Sequence, residues 1–394
     1  MIMGKRVGIE VSLAVAEAVR ACDADVIAAY PITPQTHIVE RLSEMVANGE
    51  LDADSICVES EHSAMSACLG SAASGARTFT ATAGQGLELM HEVVFVAASM
   101  RLPIVMAVAN RALSSPLSVW GDHSDVMAVR DTGWIQIFCE NGQDAFDLIV
   151  WAFRVAEDKR VLFPVMVNLD GFHLTHVVEP ITIYEKEEVA KFLPPNKYPT
   201  PLDPRKPVNM GAFGPPAIYT EVRKSQEVAF ENTMPVIKET LAELEKHFGR
   251  KYEVVEKYKM DGAETALLTM GSFSQTAMEA IDELRAKGKK VGLVRIRLWR
   301  PFPTAELVSA LKGVKTLAIL DRAVSFGSGS IGPVACEVRS VLYPQKDKPF
   351  IVSFIGGLGG RDIYPEDFVA MIEKAVGYSA KGSAPEYEMI GVRE

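Results

Sequence analysis

Over its first 180 residues the chain alternates short apolar runs, rich in β-branched residues, with longer stretches of helical periodicity. Asp25–Tyr30, Ser55–Val58, Thr78–Ala81, Ile104–Val108, Trp134–Phe138 and Val165–Leu169 read as buried strands. Between them Pro34–Ala47, His62–Ser74, Gly86–Ala98 and Gln143–Glu157 read as helices. A strand apolar on both faces, followed by a helix and another such strand, has few homes other than a parallel sheet covered on both sides. The expected fold class is therefore α/β.

The texture changes near residue 180. The stretch from Phe192 to Pro207 is dense in proline, whose fixed φ and missing N–H oppose regular structure, and an extended connector is predicted over about 180–216. Ala217–Phe248 is charged and amphipathic, a helical extension. A second α/β unit starts near Glu264, with strands at Thr265–Met270, Lys290–Ile296, Thr316–Leu320 and Pro349–Phe354 and a helix at Ser274–Lys287. Two domains are expected, residues 1–250 and 251–394.

Charge and cysteine content exclude several functions. Lys and Arg number 41 against 51 Asp and Glu, a net charge of −10, which argues against binding nucleic acid or an anionic membrane surface. No uncharged apolar run reaches the roughly 18 residues of a membrane span, and a cytoplasmic protein is expected. The five cysteines (Cys22, Cys57, Cys68, Cys139, Cys336) form no CxxC pair and no disulfide framework. Their spacing does not suit a ferredoxin-type cluster, which needs closely spaced thiolates.

In open α/β sheets, ligands bind outside the carboxyl ends of the strands, and three loops reach that position. Tyr30–His37 follows the first predicted strand; Thr33 and Thr36 offer hydroxyls to a carboxylate or phosphate, or Thr33 simply N-caps a helix with Pro34 at its first position. Val58–Ala64 carries Glu59 and Glu61, which share a face if the segment is extended; a glutamate in a first helical turn is the plainer reading. Ala109–Asp125 carries Arg111, whose guanidinium can grip a carboxylate through two parallel hydrogen bonds. Asp122, His123 and Asp125 in that loop read as hydrogen-bonding groups rather than metal ligands. Thr80–Gly86 matches no phosphate-binding glycine motif; its small residues let the backbone approach a flat cofactor or a neighbouring chain. Gly327–Gly332 is a weak GxGxxG-like run, and Gly356–Asp362 reads as a glycine turn, with interface packing second.

Nine segments in order resemble the alpha subunit of 2-oxoacid:ferredoxin oxidoreductases, most closely the pyruvate:ferredoxin (pyruvate synthase) type. They are Tyr30-Pro-Ile-Thr-Pro34, Glu59-Ser-Glu-His-Ser-Ala64, Arg77-Thr-Phe-Thr-Ala-Thr-Ala-Gly-Gln-Gly86, Leu102-Pro-Ile-Val105, Asn110-Arg-Ala112, Arg130-Asp-Thr-Gly-Trp134, Arg300-Pro-Phe-Pro303, Ser325-Phe-Gly327 and Gly357-Leu-Gly-Gly-Arg-Asp362. The resemblance implies a thiamine-diphosphate-binding, pyrimidine-type domain followed by a transketolase C-terminal-like domain. It also implies reversible oxidative decarboxylation of pyruvate with CoA to acetyl-CoA and CO2, with ferredoxin reduced. Carried onto this sequence, Glu61 is the glutamate that hydrogen-bonds the cofactor's aminopyrimidine, and Thr33 and Arg111 bind the 2-oxoacid. Such a carboxyl group favours the imino form of the pyrimidine, whose nitrogen then serves as an internal base.

The thiamine diphosphate signature GDG is absent; the chain has only Leu169-Asp-Gly171 and Met260-Asp-Gly262. The resemblance therefore implies half of an active site and no metal on this chain. Mg²⁺ and the [4Fe-4S] clusters are expected on beta-, gamma- and delta-type partner subunits, with the cofactor shared between subunits. Two other readings stay open: the same chemistry on a branched-chain, aromatic or other 2-oxoacid, and a non-catalytic scaffold subunit.

Overall fold

The computed structural model describes residues 4–329 and 332–393. Among these residues, fifteen strands run β1 (Lys5–Glu10), β2 (Val26–Ala29), β3 (Asp54–Cys57), β4 (Thr78–Thr82), β5 (Ile104–Asn110), β6 (Ile135–Phe138), β7 (Val165–Asp170) and β8 (Val178–Ile183) in the first part. They continue as β9 (Val255–Tyr258), β10 (Thr265–Thr269), β11 (Val291–Ile296), β12 (Leu298–Arg300), β13 (Thr316–Asp321), β14 (Phe350–Ile355) and β15 (Glu388–Met389). The larger sheet has seven strands in the order β12-β6-β7-β5-β4-β2-β3, all parallel except β12, which runs antiparallel to β6.

The core explains why this sheet reads so clearly in the sequence. Along β5, Val105 and Ala107 enter the cluster under helices Val11–Ala21 and Gly142–Ala156. The alternate residues Ile104, Met106 and Val108 enter the cluster under Glu61–Ser74 and His91–Ser99. With both faces covered, every residue of β5 and β7 is buried and no alternation of polarity survives. β3 departs from expectation. It is the edge strand, its four residues are exposed, and it was read as buried.

The second sheet, β15-β14-β13-β10-β11-β9, is parallel apart from β9 and is likewise packed on both faces, Leu268 and Ile319 inward to one core and Leu267 and Leu320 to the other. β1 and β8 form a small antiparallel ribbon. The predicted connector thus begins inside β8 and includes a short helix, Lys186–Val189. Beyond these it is irregular and fastened to the helix Glu61–Ser74 and the turn after it: Arg77 Nη2 donates to Pro194 O (2.8 Å) and Leu202 N to Ala73 O (2.8 Å). The helical extension is two helices, Pro216–Glu231 and Thr233–Phe248, parted at Asn232; Pro235, with no N–H, fits in the first turn of the second. Gly86–Ala98, expected as one helix, is also two, Gly84–Leu89 and His91–Ser99. Among the described residues no helix is long and apolar enough to cross a membrane.

Candidate active site

The chain passes from β2 to its neighbour β3 on one side and then to β4 on the other, so the winding reverses between β2 and β4. A crevice opens at such a switch point because the flanking loops leave in opposite directions. The loops after β2, β3, β4 and β5 meet there, and they contain Thr33, Glu61, Gly84, Gly86 and Arg111.

Glu61 and Glu59 have opposite surroundings, not a shared face. β3 ends at Cys57, and Ser60 N-caps the next helix by accepting the N–H of Ser63 (3.2 Å), so Glu61 is the first helical residue. Its side chain turns inward and the residue is only 5% exposed. Glu59 faces solvent and accepts the Ser63 hydroxyl (2.5 Å), a bond that lowers its pKa. The Glu61 carboxylate lies against Gly86: a Cβ there would sit 2.5 Å from Glu61 Oε1 and 2.6 Å from Thr82 Oγ1. Among the described residues the Glu61 carboxylate makes no hydrogen bond, and the buried hydroxyls of Thr80 and Thr82 are also without partners.

Thr33 is not an N-cap. The helix begins at Thr36, and Thr33 stands in the exposed loop before it. Its carbonyl accepts Arg111 Nη1 (3.0 Å), so the two residues expected to contact substrate are in direct contact. Arg111 Nε donates to Ser118 O (2.8 Å), while Nη2 has no partner among the described residues. Burial, partly offset by Asp125, lowers the Arg111 pKa. Gly84 packs on the Arg111 stem: its φ is +46°, and a Cβ would meet Arg111 Cδ at 3.1 Å. The small residues at 84 and 86 therefore make room for Arg111 and Glu61 of the same chain.

The loop after β5 is hydrogen-bonded throughout, and its last residues reach the second sheet's loops. Asp125 is fully buried; its Oδ2 accepts the N–H groups of Gly84 (3.0 Å) and Arg111 (2.9 Å), and burial pushes its pKa up to about 7. His123 Nε2 pairs with Asp170 (2.8 Å), which also binds Arg322 Nη1 (2.5 Å) and the N–H and hydroxyl of Ser272. Burial pushes Asp170 up, but Arg322 and His123 outweigh it and hold the carboxyl well below its usual range. Asp122 accepts Gly359 N (3.1 Å), and a Cβ on Gly360 would strike the Trp120 side chain. The 356–362 run is thus a glycine turn and a contact with the loop after β5 at once. Ser330 and Ile331 of the 327–332 run lie outside the described residues. Gly332 packs on Asp321, whose carboxylate accepts Val334 N (2.7 Å) and Ala335 N (3.1 Å).

Sequence reasoning reads Asp125 as a hydrogen-bonding group, which it is, but misses its partners, because they are mainly main-chain groups. It also missed the cluster behind the Thr33 loop, where His37 Nδ1 pairs with Glu10 (2.6 Å) and the His37 and His176 rings lie 4.7 Å apart.

Comparison with known proteins agrees with this architecture. Residues 17–242 match the profile of the family described as pyruvate flavodoxin/ferredoxin oxidoreductase, thiamine diphosphate-binding, and residues 263–368 match pyruvate:ferredoxin oxidoreductase core domain II. The chain is 52% identical to the pyruvate synthase subunit PorA of Methanocaldococcus jannaschii, over 91% of this chain and 92% of that protein. It is 48% identical to PorA of Thermotoga maritima over 99% of each, and 45% identical to the ketoisovalerate oxidoreductase subunit VorA of Pyrococcus abyssi over 91% of each. Among solved structures, 2-oxoglutarate:ferredoxin oxidoreductase from Magnetococcus marinus superposes with a TM-score of 0.73 at 21% identity, covering 95% of this chain and 66% of that longer one. A split-gene transketolase superposes at 0.55 and 13% identity, covering 94% of this chain and 99% of that one. A thiamine-diphosphate-binding α/β domain followed by a transketolase-like α/β unit is the fold in common, and the chain belongs to the pyruvate flavodoxin/ferredoxin oxidoreductase family.

Proposed function

We propose that this chain is the alpha subunit of a pyruvate:ferredoxin oxidoreductase, which converts pyruvate and CoA to acetyl-CoA and CO2 and reduces ferredoxin, reversibly. The observation that carries the reading is the Glu61 carboxylate, buried against Gly86 without a protein partner, at the switch point of a thiamine-diphosphate-binding fold. The Glu61 side chain turns inward and keeps its carboxylate free of partners among the described residues, so it is open to a ligand that can share a proton with it. A pyrimidine ring nitrogen, which accepts the carboxylic proton or shares it, is a partner of that kind, and the residues present fit the group.

In this reading residues 1–250 hold the pyrimidine end and residues 251–394 form the transketolase C-terminal-like unit. Thiamine diphosphate, when bound, supplies the carbon nucleophile and the electron sink that decarboxylation requires. Glu61 holds the proton shared with the pyrimidine nitrogen and so sets its basicity. Arg111, with Nε and Nη1 committed to Ser118 and Thr33, presents Nη2 to the 2-oxoacid carboxylate, and Thr33 presents its hydroxyl beside it. Burial of Arg111 strengthens that contact by excluding water. The lack of GDG and of cluster-spaced cysteines supports a division of labour, with beta-, gamma- and delta-type partners contributing Mg²⁺, the diphosphate site and [4Fe-4S] clusters in a cytoplasmic complex.

A branched-chain 2-oxoacid is the second reading, supported by the 45% identity to the ketoisovalerate subunit, which lies within the 41–52% span of the pyruvate synthase subunits. The test is viologen reduction by the purified complex with CoA and pyruvate, 2-ketoisovalerate, an arylpyruvate or 2-oxoglutarate in turn. Pyruvate should give the highest kcat/KM. A higher value for 2-ketoisovalerate would establish the second reading, and no reduction with any of them in the intact complex would leave the chain a scaffold.

A further inference from the structure

We infer that Asp125 is a positioning residue that holds the substrate side and the cofactor side of the site in one register, an inference that rests on the roles proposed above for Arg111 and Glu61. Both oxygens of this fully buried carboxylate are used. Oδ2 receives Gly84 N (3.0 Å) and Arg111 N (2.9 Å); Oδ1 receives Val126 N (2.7 Å) and Asn110 Nδ2 (3.1 Å). Two of these donors matter for function. Arg111 N fixes the backbone that launches the guanidinium toward the Thr33 loop. Gly84 N fixes the turn two residues before Gly86, the surface on which the Glu61 carboxylate lies.

The two donors share one oxygen, so neither peptide can move without loosening the other. The two are also close at Gly84, where an added Cβ would meet the Arg111 stem at 3.1 Å. Asn110 braces the arrangement from the far side, since its Nδ2 also donates to Asn168 (3.2 Å) on β7. Four N–H donors around one carboxylate leave no acceptor for a carboxylic proton, so the ionised form is the one that holds the register. A buried charge with this many bonds is expensive to desolvate, and an apolar side chain fills the same space at lower cost. What the apolar side chain cannot do is tie the main chain at the end of β5 to the main chain at the end of β4.

The test uses the assembled complex with Asp125→Asn. Whichever way the amide turns, an NH2 faces two N–H donors, so two of the four bonds are lost. The expected result is a rise of about tenfold or more in KM for pyruvate together with a weakening of about tenfold in the thiamine diphosphate dissociation constant, read by isothermal titration of cofactor-stripped complex. A side chain serving only stability would lower the yield of complex and leave KM and the dissociation constant of the surviving complex at wild-type values, and that result overturns the inference. Asn110→Ala removes one donor to Oδ1, spares the Oδ2 pair, and decides the matter if Asp125→Asn does not assemble. Both constants should then rise together by about threefold, and unchanged constants would refute the coupling. Arg111→Lys and Glu61→Gln run alongside: if these two fail to change KM and turnover, the proposed roles are wrong. If they behave as expected while Asp125→Asn moves only one constant, the roles stand and the coupling falls.

Discussion

Gly86→Ala isolates the role of Glu61 without touching the carboxylate itself. Gly86 lies inside the helix Gly84–Leu89 and its φ is outside the left-handed region, so its backbone accepts alanine. Alanine is the better helix former by about 1 kcal/mol, which offsets part of any crowding the methyl group causes. The new methyl group, however, would stand 2.5 Å from Glu61 Oε1, 2.9 Å from Glu61 Cδ and 2.6 Å from Thr82 Oγ1, whereas ordinary contact begins at 3.4 Å. The carboxylate must retreat by about 1 Å, and a displacement of that size at a reacting group costs on the order of 100-fold in rate. That is about 2.7 kcal/mol of transition-state stabilisation. The assay is pyruvate-dependent viologen reduction per bound thiamine diphosphate, with thermal melting in parallel. Turnover should fall by about 100-fold with the complex still folded and assembled, and in a Glu61→Gln background the same substitution should cost less than about threefold, because the displaced group is already disabled. Wild-type turnover, or an equal loss in the Glu61→Gln background, would refute the reasoning.

Three further outcomes are expected. Glu61→Gln should lower turnover by about 100-fold or more with the complex intact, whereas Glu59→Gln, which loses only a solvent-exposed bond to Ser63, should be near wild type; equal losses would remove Glu61 from its role. Arg111→Lys cannot reproduce both backbone bonds and a free Nη2, so kcat/KM for pyruvate should fall by roughly 10- to 100-fold while cofactor content holds; an emptied cofactor site with normal turnover per cofactor would make Arg111 structural. Asp321 is pushed up to about 7 by burial, against the N–H groups of Val334 and Ala335, so the folded state holds its proton more tightly than the unfolded state, where the value is near 3.8. Its contribution is complete below about pH 4 and is lost as pH rises through 7, so the melting-temperature gap between wild type and Asp321→Asn should be wider at pH 5 than at pH 8; a gap independent of pH would contradict this.

The first sheet was legible because two covered faces leave unbroken apolar runs, and the site was legible because carboxyl ends of parallel strands converge. Glu61 was harder to separate from Glu59. Nothing in the pair itself distinguishes them, but Ser60 followed by Ser63 is an N-cap pattern that starts the helix at Glu61 and turns one glutamate inward. Gly84 and Gly86 were visible as small residues; what they make room for was not, because the side chains come from other strands' loops. Asp125 reads as a hydrogen-bonding loop residue, but its partners do not show, since main-chain N–H groups leave no mark in a sequence. β12 was missed for a different reason: three residues are too few for any periodicity, and its partner β6 lies far away along the chain.

That strand sets a timetable for synthesis. Leu298 and Arg300 pair with Ile137 and Gln136, and Phe138 N donates to Arg297 O (2.8 Å). The outer side of β6 is therefore covered by a segment made long after it. About 160 residues separate β6 from β12, and at roughly 5–20 residues per second a growing chain leaves that edge bare for about 10–30 s. An uncovered, fully buried-type strand is a template for pairing with another chain. A ribosome-bound chain stopped before residue 298 should for that reason engage chaperones, and the same chain released past residue 300 should let them go.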